Sequence, residues 1–187
     1  MTRTFRSALE TRLGQRLPLD HLVTPWIIRH AAANITRHQV RSDGKTAFSK
    51  MKGYDGIMPV NEFGEVVHFK QRTDIADPQA VGKYEDRYRD GVFVGYDLRS
   101  GEHLVATETG VYRTGACKRK AEDQQWSLQM INNIVGDPEH PIPGGDSGRP
   151  PTYTKADSKK VAEAAFVPQS ELPPIQVGTL PSEEETC

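Results

Sequence analysis

The chain has 187 residues, of which 36% are hydrophobic, and its formal net charge is -1 at pH 7. This length allows one domain with additional chain or two small units, and the hydrophobic share is below that of a wholly packed protein. No apolar run approaches membrane length, the N-terminus lacks the apolar core of a signal peptide, and two cysteines cannot form a disulfide framework. We therefore expect a soluble, intracellular protein.

The net charge conceals an asymmetry between the two parts of the chain. Residues 1–120 hold 20 Lys or Arg against 14 Asp or Glu, whereas residues 121–187 hold 4 against 11. Nine of the 13 prolines lie from Pro138 to Pro181. A basic first part suits a polyanionic partner, and an acidic, proline-rich second part is typical of a disordered linker. Within that linker, residues 126–135 could form one or two amphipathic turns and residues 155–166 an isolated helix.

Three helices are predicted in the first 52 residues. Residues 3–16 carry an apolar stripe on one face and arginines on the other, and Pro18 prevents continuation. Residues 24–37 are apolar over much of the helix circumference, with Thr24 as the expected N-cap and Pro25 at the first helical position. A short helix, Ala47–Lys52, follows, with Thr46 as its cap.

Strands are predicted after the helices. Residues 63–72 alternate in polarity, residues 73–90 are a long polar insertion, and three strands follow at 91–96, His103–Thr107 and Gly110–Thr114. Ser100-Gly101 and Thr109-Gly110 provide the turns between them. Alternation with glycine-bearing turns predicts a small antiparallel meander.

Three groups of residues invite functional interpretations that the sequence does not favour. The tetrapeptide GDSG, residues 145–148, matches the nucleophile segment of trypsin-like proteases, but it lies in the linker and the upstream chain is helical. Glu10 would need two further carboxylates on preceding strands to form a catalytic metal site, so we expect a surface glutamate. His30, Asn34 and His38 share one helical face, and without an acidic or cysteine partner we expect a polar helix edge or a subunit contact.

Four short segments follow one another along the chain. They are the helix ending HAAANITRHQ, Gly44-Lys45-Thr46-Ala47-Phe48 with Lys52-Gly53, Phe63-Gly64, and GVFVGY at 91–96. In this order they resemble Copia-like retrotransposon Pol polyproteins, in the region from the end of the integrase catalytic core through a Src-homology-3-like barrel. The resemblance covers residues 3–120. Ala47 departs from it where proline is usual, and Thr36-Arg37 stands where Asn-Arg is common.

The resemblance implies an α+β fold in three parts. Residues 1–56 would be helices left from an RNase H-like core, residues 57–120 a small antiparallel Src-homology-3-like barrel, and residues 121–187 a disordered tail. Family members are polynucleotidyl transferases that use three carboxylates with Mg²⁺ or Mn²⁺. In that arrangement all three carboxylates lie upstream of Met1, and the family's zinc-binding His/Cys module is missing. We therefore expect no enzymatic activity, no metal and no cofactor in this chain.

The predicted function is nucleic-acid binding in support of DNA integration, with a nuclear location. The contacts would be nonspecific and made to backbone phosphates. The expected contact residues are seven cations around the meander: Lys83, Arg87, Arg89, Arg113, Lys118, Arg119 and Lys120. For the last three, a solvated strand end is an equal alternative.

The alternative function is that of a protein-interaction or oligomerisation module with no role in DNA binding. Under this hypothesis a second copy or another partner covers the apolar faces of the truncated helices.

Overall fold

The computed structural model describes residues 1–54, 61–70, 88–145 and 148–152. The chain folds as α+β, with helices before and after an antiparallel sheet. The elements in chain order are α1 (Thr2–Leu13), α2 (Val23–His38), α3 (Ala47–Lys52), β1 (Val66–Lys70), β2 (Tyr88–Tyr96), β3 (His103–Thr107), β4 (Gly110–Thr114), β5 (Cys117–Arg119) and α4 (Leu128–Asn132).

The five strands form one antiparallel sheet in the order β4-β3-β2-β1-β5. The predicted meander is confirmed as β2, β3 and β4. Three features differ from the prediction: β1 begins at Val66 instead of Phe63, β2 begins at Tyr88 instead of Gly91, and the basic segment after β4 is itself a strand. This strand, β5, pairs with β1, so that Phe69 lies opposite Cys117. The sheet is not closed into a continuous barrel.

Both faces of the sheet are buried. Val92, Val94 and Leu104 point to one face, where they pack against the helices in the larger hydrophobic core. Alternate residues point to the other face and form a second cluster, made by Val67, Phe69, Phe93, Val105 and Tyr112. The period-two pattern in the sequence therefore separates two apolar faces instead of an apolar face and a solvated one.

The first helix attaches to the sheet through the predicted apolar stripe. Leu9 is fully buried in the core, and Phe5 and Leu13 pack against its edge. Gly64, just before β1, has φ +86°, and a Cβ at this position would lie 2.4 Å from Leu9 Cδ1. The Phe63-Gly64 pair therefore allows the chain to turn directly beneath α1. Glu10 has a structural role, since its carboxylate accepts from the backbone N–H of Leu17 at 3.1 Å.

The second helix is the most buried one, as predicted. Trp26 and Ile27 lie in the core, and the indole Nε1–H of Trp26 donates to the carbonyl of Gly136 at 3.0 Å. The predicted N-cap is wrong: the helix begins at Val23 and has no side-chain cap of the usual kind. Instead the ring Nδ1 of His21 accepts from the backbone N–H of Val23 at 3.1 Å. For α3 the predicted cap is confirmed, because the Thr46 hydroxyl accepts from the N–H of Ser49.

The expectation of a disordered chain from residue 121 onward is wrong for residues 121–145. Ile131 on α4 and Ile134 just after it are fully buried in the larger core, and Trp126 packs against that core. Burial of apolar surface contributes about 25 cal/mol per Å², so these three large side chains anchor the segment to the core. The proposed helix at 155–166 lies outside the described residues, as do two residues of the GDSG segment, Asp146 and Ser147. No helix within the described ranges is long and apolar enough to cross a membrane.

Candidate nucleic-acid interface

The structure describes five of the seven cations expected to contact phosphates, whereas Lys83 and Arg87 lie outside the described residues. Arg113 on β4 is bound to other parts of the chain. Its Nη1 donates to Glu102 Oε2 at 2.7 Å, and its Nε donates to the carbonyl of Pro150. This side chain is 17% exposed and already has a carboxylate partner, so a phosphate would compete with Glu102 for it.

Arg119 and Lys120 on and after β5 are also paired with carboxylates. Arg119 Nε donates to Glu65 Oε1 at 2.6 Å, and Lys120 Nζ donates to Asp90 Oδ2 at 2.6 Å. The Glu65 side chain is 0% exposed, and its second oxygen accepts from the backbone N–H of Glu62 at 3.0 Å. A carboxylate in such a place requires a positive partner. Arg119 therefore has a structural role as the counter-charge of Glu65.

Arg89 and Lys118 are the remaining described members of the predicted set. Both side chains are exposed, and neither forms an ion pair with any described residue. The ammonium of Lys118 lies 4.8 Å from the centroid of the Tyr88 ring, a cation–π contact that leaves the charge accessible to solvent. The sheet thus offers two accessible cations from the predicted set, and the structure does not bring the five described cations together into one free patch.

Positive charge is concentrated in the helices. Residues 1–54, which we call the helical layer and which contain α1, α2 and α3, hold 10 Lys or Arg against 3 Asp or Glu. The other described residues hold 8 against 10. The net charge of the helical layer is therefore +7 and that of the remainder is -2. The two parts of the described chain therefore carry net charges of opposite sign.

The turn between α2 and α3 and the helix α3 itself carry four of these cations: Arg41, Lys45, Lys50 and Lys52. We call this set the basic corner. The chain turns back on itself between α2 and α3, with the N–H of Arg41 donating to the carbonyl of Lys45 at 3.1 Å. This turn places Arg41 and Lys45 side by side, both exposed and both without an ion pair among the described residues.

The other two cations of the basic corner are held more closely. Lys50 pairs with Asp43, and the hydrogen bond from that ammonium lowers the pKa of the Asp43 carboxyl. Lys52 Nζ donates to the backbone carbonyl of Arg99 at 3.0 Å, which neutralises no charge. The corner consequently keeps a positive balance, since one carboxylate faces four cations.

Three arginines on α1 and Arg16 just after it add to the positive charge of the helical layer. Arg3 and Arg16 are exposed, and Arg6 and Arg12 form pairs with Glu10 and Glu62 at 3.0 and 3.1 Å. The Arg12–Glu62 pair is about half exposed at both ends, so that water and salt weaken it.

A cavity of about 340 Å³ lies between α1 and α2. Its walls are mainly apolar and include the side chains of Phe5, Leu9, Phe63 and Trp126. Two of the polar side chains that line it, His30 and Asn61, are 5% and 8% exposed. This size and composition are at the lower end of the range found for ligand-binding pockets, about 300–1,000 Å³.

His30 forms the inner wall of the cavity and packs among aromatic rings. Its ring centroid lies 4.9 Å from that of Phe5, 5.1 Å from that of Phe63 and 6.0 Å from that of Phe93. Burial lowers the pKa of His30 to about 4, so the ring is neutral at physiological pH. The expectation of a polar helix edge is therefore wrong for His30.

The sheet accommodates this histidine through a glycine in β2. Gly95 has φ +137°, and a Cβ at this position would lie 3.2 Å from His30 Nδ1. The strand register also shifts between Phe93 and Gly95. The second glycine of the GVFVGY segment therefore serves to receive α2 and its buried histidine.

Two buried polar atoms at this cavity have no hydrogen-bond partner among the described residues: His30 Nδ1 and Asn61 Nδ2. The backbone N–H of Asn61, in contrast, bonds to the hydroxyl of Tyr96, while burial raises the pKa of that tyrosine. An unsatisfied buried donor costs about 1–3 kcal/mol, and such atoms are uncommon in folded proteins. No local sequence pattern indicates this arrangement, because it depends on how α2 packs on β2.

Comparisons with known proteins do not assign this site. No family model, no curated protein and no solved structure matches the chain. Over the described part of the chain, no three His, Cys, Asp or Glu side chains are grouped so that they could hold a metal ion.

Proposed function

We propose that this chain is a nucleic-acid-binding module in which the helical layer contacts the phosphate backbone. The observation that carries the proposal is the net charge of +7 in residues 1–54, set against -2 in the rest of the described chain. Within that layer, Arg41 and Lys45 are exposed, adjacent and without a carboxylate partner among the described residues.

The binding proposed here is independent of sequence. Exposed lysine and arginine side chains recognise phosphates, which are the same at every step of a duplex, and release counterions when they bind. Of the cations first expected to make such contacts, Arg113, Arg119 and Lys120 are held by carboxylates of the chain. Phosphate contacts by Arg89 and Lys118 at the sheet are compatible with the proposal but secondary.

The setting we propose is an integrase-type retrotransposon polyprotein, and its support is the order of the short motifs. In this setting the chain assists DNA integration in the nucleus without catalysing it and without a metal or cofactor. The proposal includes a Src-homology-3-like barrel after helices left from an RNase H-like core. It is supported by the strand order β4-β3-β2-β1-β5 and by the burial of both sheet faces.

The test is the salt dependence of binding to a short duplex of arbitrary sequence, measured by fluorescence anisotropy. The double variant Arg41→Glu/Lys45→Glu removes the two cations of the basic corner that have no ion-pair partner among the described residues. The control variant Arg89→Glu/Lys118→Glu makes the same change of charge on the sheet. Each lost phosphate contact should reduce the slope of log K against log salt by about 0.9.

We expect the helical variant to lose a slope of about 2 and the control variant to lose little. Equal losses would place the phosphate contacts on both surfaces, and a loss confined to the control would return them to the sheet. Absence of salt-sensitive binding in the unaltered chain would refute the function itself.

The second candidate function is self-association, favoured by a specific feature of α2. Ile28 and Ile35 lie two turns apart on this helix and are 55% and 42% exposed, with the small Ala32 between them. A stripe of this kind is complementary to itself, so a second copy could cover it through a two-fold contact. Light scattering after size-exclusion chromatography tests self-association. A dimer that Ile28→Glu converts to a monomer supports this function, and a monomeric unaltered chain excludes it.

A further inference from the structure

The cavity between α1 and α2 combines apolar walls with buried polar side chains. Its wall includes two side chains that are more than nine-tenths buried, and each presents a polar nitrogen with no partner among the described residues. The amide Nδ2 of Asn61 is a hydrogen-bond donor, whereas Nδ1 of His30 lies toward Gly95 of β2. A ligand with an acceptor group would remove the cost of leaving the Asn61 amide unsatisfied.

The walls of the cavity suit a flat, aromatic ligand. Phe5 and Phe63 contact the His30 ring within it, and Trp126 and Tyr96 also face it. Aromatic side chains of this kind stack on nucleobases, and such stacking tolerates any base because every base has a π face. The apolar share of the lining excludes a bare phosphate or another small, strongly hydrated anion as the occupant of the interior.

The rim of the same cavity is positively charged. Arg12 on α1 and Arg37 and His38 on α2 line this cavity. Glu62 is the carboxylate at the mouth, and it is already paired with Arg12. A ligand with an aromatic group flanked by negative charges therefore matches both the interior and the rim.

We propose that this cavity receives one unstacked nucleobase of a single-stranded nucleic acid, with the flanking phosphates on the arginines of α1 and α2. The inference rests on the proposed function and makes it more specific, because it predicts a preference for single strands and strand ends over intact duplex. In a duplex the bases are paired and stacked, so they cannot enter the cavity without an opening cost.

The experiment compares three ligands on the full chain: a single-stranded oligonucleotide, an abasic oligonucleotide of the same length and a duplex. The abasic strand keeps every phosphate and lacks only the bases. Binding is followed by anisotropy and by the emission of Trp126, which lines the cavity, whereas Trp26 is buried in the core. We expect the single strand to bind about tenfold more tightly than the abasic strand and to quench Trp126.

Two variants test the site, and one serves as a matched control. Ala8→Leu fills the mouth from an exposed position of α1, and Asn61→Ala removes the buried amide. Ser7→Leu makes a similar change on the neighbouring exposed position, which does not line the cavity. Ala8→Leu should abolish the preference for the single strand over the abasic strand, Asn61→Ala should reduce it severalfold, and Ser7→Leu should leave it unchanged.

The outcomes separate this inference from the proposed function. Equal, salt-sensitive affinity for all three ligands would overturn the base-binding cavity and leave phosphate binding by the helices intact. Absence of binding to any of them would overturn both. An acidic peptide that contains phenylalanine is a further ligand to compare. If it quenches Trp126 and the single strand does not, the cavity is a peptide site and the inference is overturned.

Discussion

The buried carboxylate of Glu65 provides the sharpest prediction about the sheet. Arg119 is its charge partner at 2.6 Å, and the backbone N–H of Glu62 occupies its other oxygen. Replacing Arg119 by glutamine removes the positive charge while keeping much of the side-chain volume. We expect this variant to lose stability and to retain its affinity for nucleic acid, because the residue holds the fold and does not contact phosphate.

The size of the effect follows from the exposure of the two partners. Removing one partner of a fully buried ion pair costs about 3–5 kcal/mol, whereas an exposed pair contributes about 0–1 kcal/mol. Glu65 is 0% exposed but the Arg119 side chain is 47% exposed, so water can approach the carboxylate once the guanidinium is removed. We therefore expect a loss of about 2 kcal/mol, which lowers Tm by about 4–8 °C for a chain of this length.

The assay is urea unfolding of three variants alongside the unaltered chain. Lys118→Gln is the control, since this neighbouring strand residue is exposed and bound to no carboxylate in the described structure. The double variant Glu65→Gln/Arg119→Gln removes both charges and should recover at least half of the loss, because no charge then remains buried. The reasoning is refuted if Arg119→Gln costs no more than Lys118→Gln.

Three further predictions concern single residues. Burial lowers the pKa of His30 from 6.5 to about 4, so as pH falls below 6.5 the unfolded chain binds a proton at His30 before the folded chain does. This should lower the free energy of unfolding by about 2 kcal/mol between pH 7 and pH 5. Urea unfolding at both pH values should show that the variant His30→Asn lacks this pH-dependent loss. Gly95→Ala should destabilise the fold by about 1–3 kcal/mol, since it forces a positive φ on alanine against His30, while Gly115→Ala, with open space around it, should not. Burial raises the pKa of the Cys117 thiol to about 12, so this thiol should react slowly with a disulfide reagent at pH 8. In the variant Cys187→Ser, which leaves Cys117 as the one thiol, the reaction should become fast when urea is added. Fast reaction without urea would contradict the burial of Cys117.

Much of the secondary structure could be predicted from the sequence, because it depends on local patterns. The apolar stripe of α1, the glycine-bearing turns of the meander and the Thr46 cap are all local, and each is present in the structure. The position of β5 could not be predicted, since Cys117–Arg119 is only three residues long and becomes a strand by pairing with β1 across the sheet. The order in α4 likewise depends on a distant core that accepts Ile131.

The candidate site was harder to predict for a physical reason. The sequence shows where each cation is, but whether it is available to a ligand depends on carboxylates far along the chain. Arg119, for example, pairs with Glu65, which is 54 residues away. Residues 1–120 include both the helices and the sheet, so their summed charge does not show the contrast that residues 1–54 alone carry. The burial of His30 depends on the packing of α2 against Gly95 and has no local signature.

The location of the phosphate contacts is the central claim, and it can be tested by NMR titration of the labelled chain with a short duplex. We predict that the largest backbone amide shifts fall in residues 39–52 and along α1, and that they shrink as salt is added. Shifts confined to β5 and the start of β2, around Lys118 and Arg89, would contradict the account and would place the interface on the sheet.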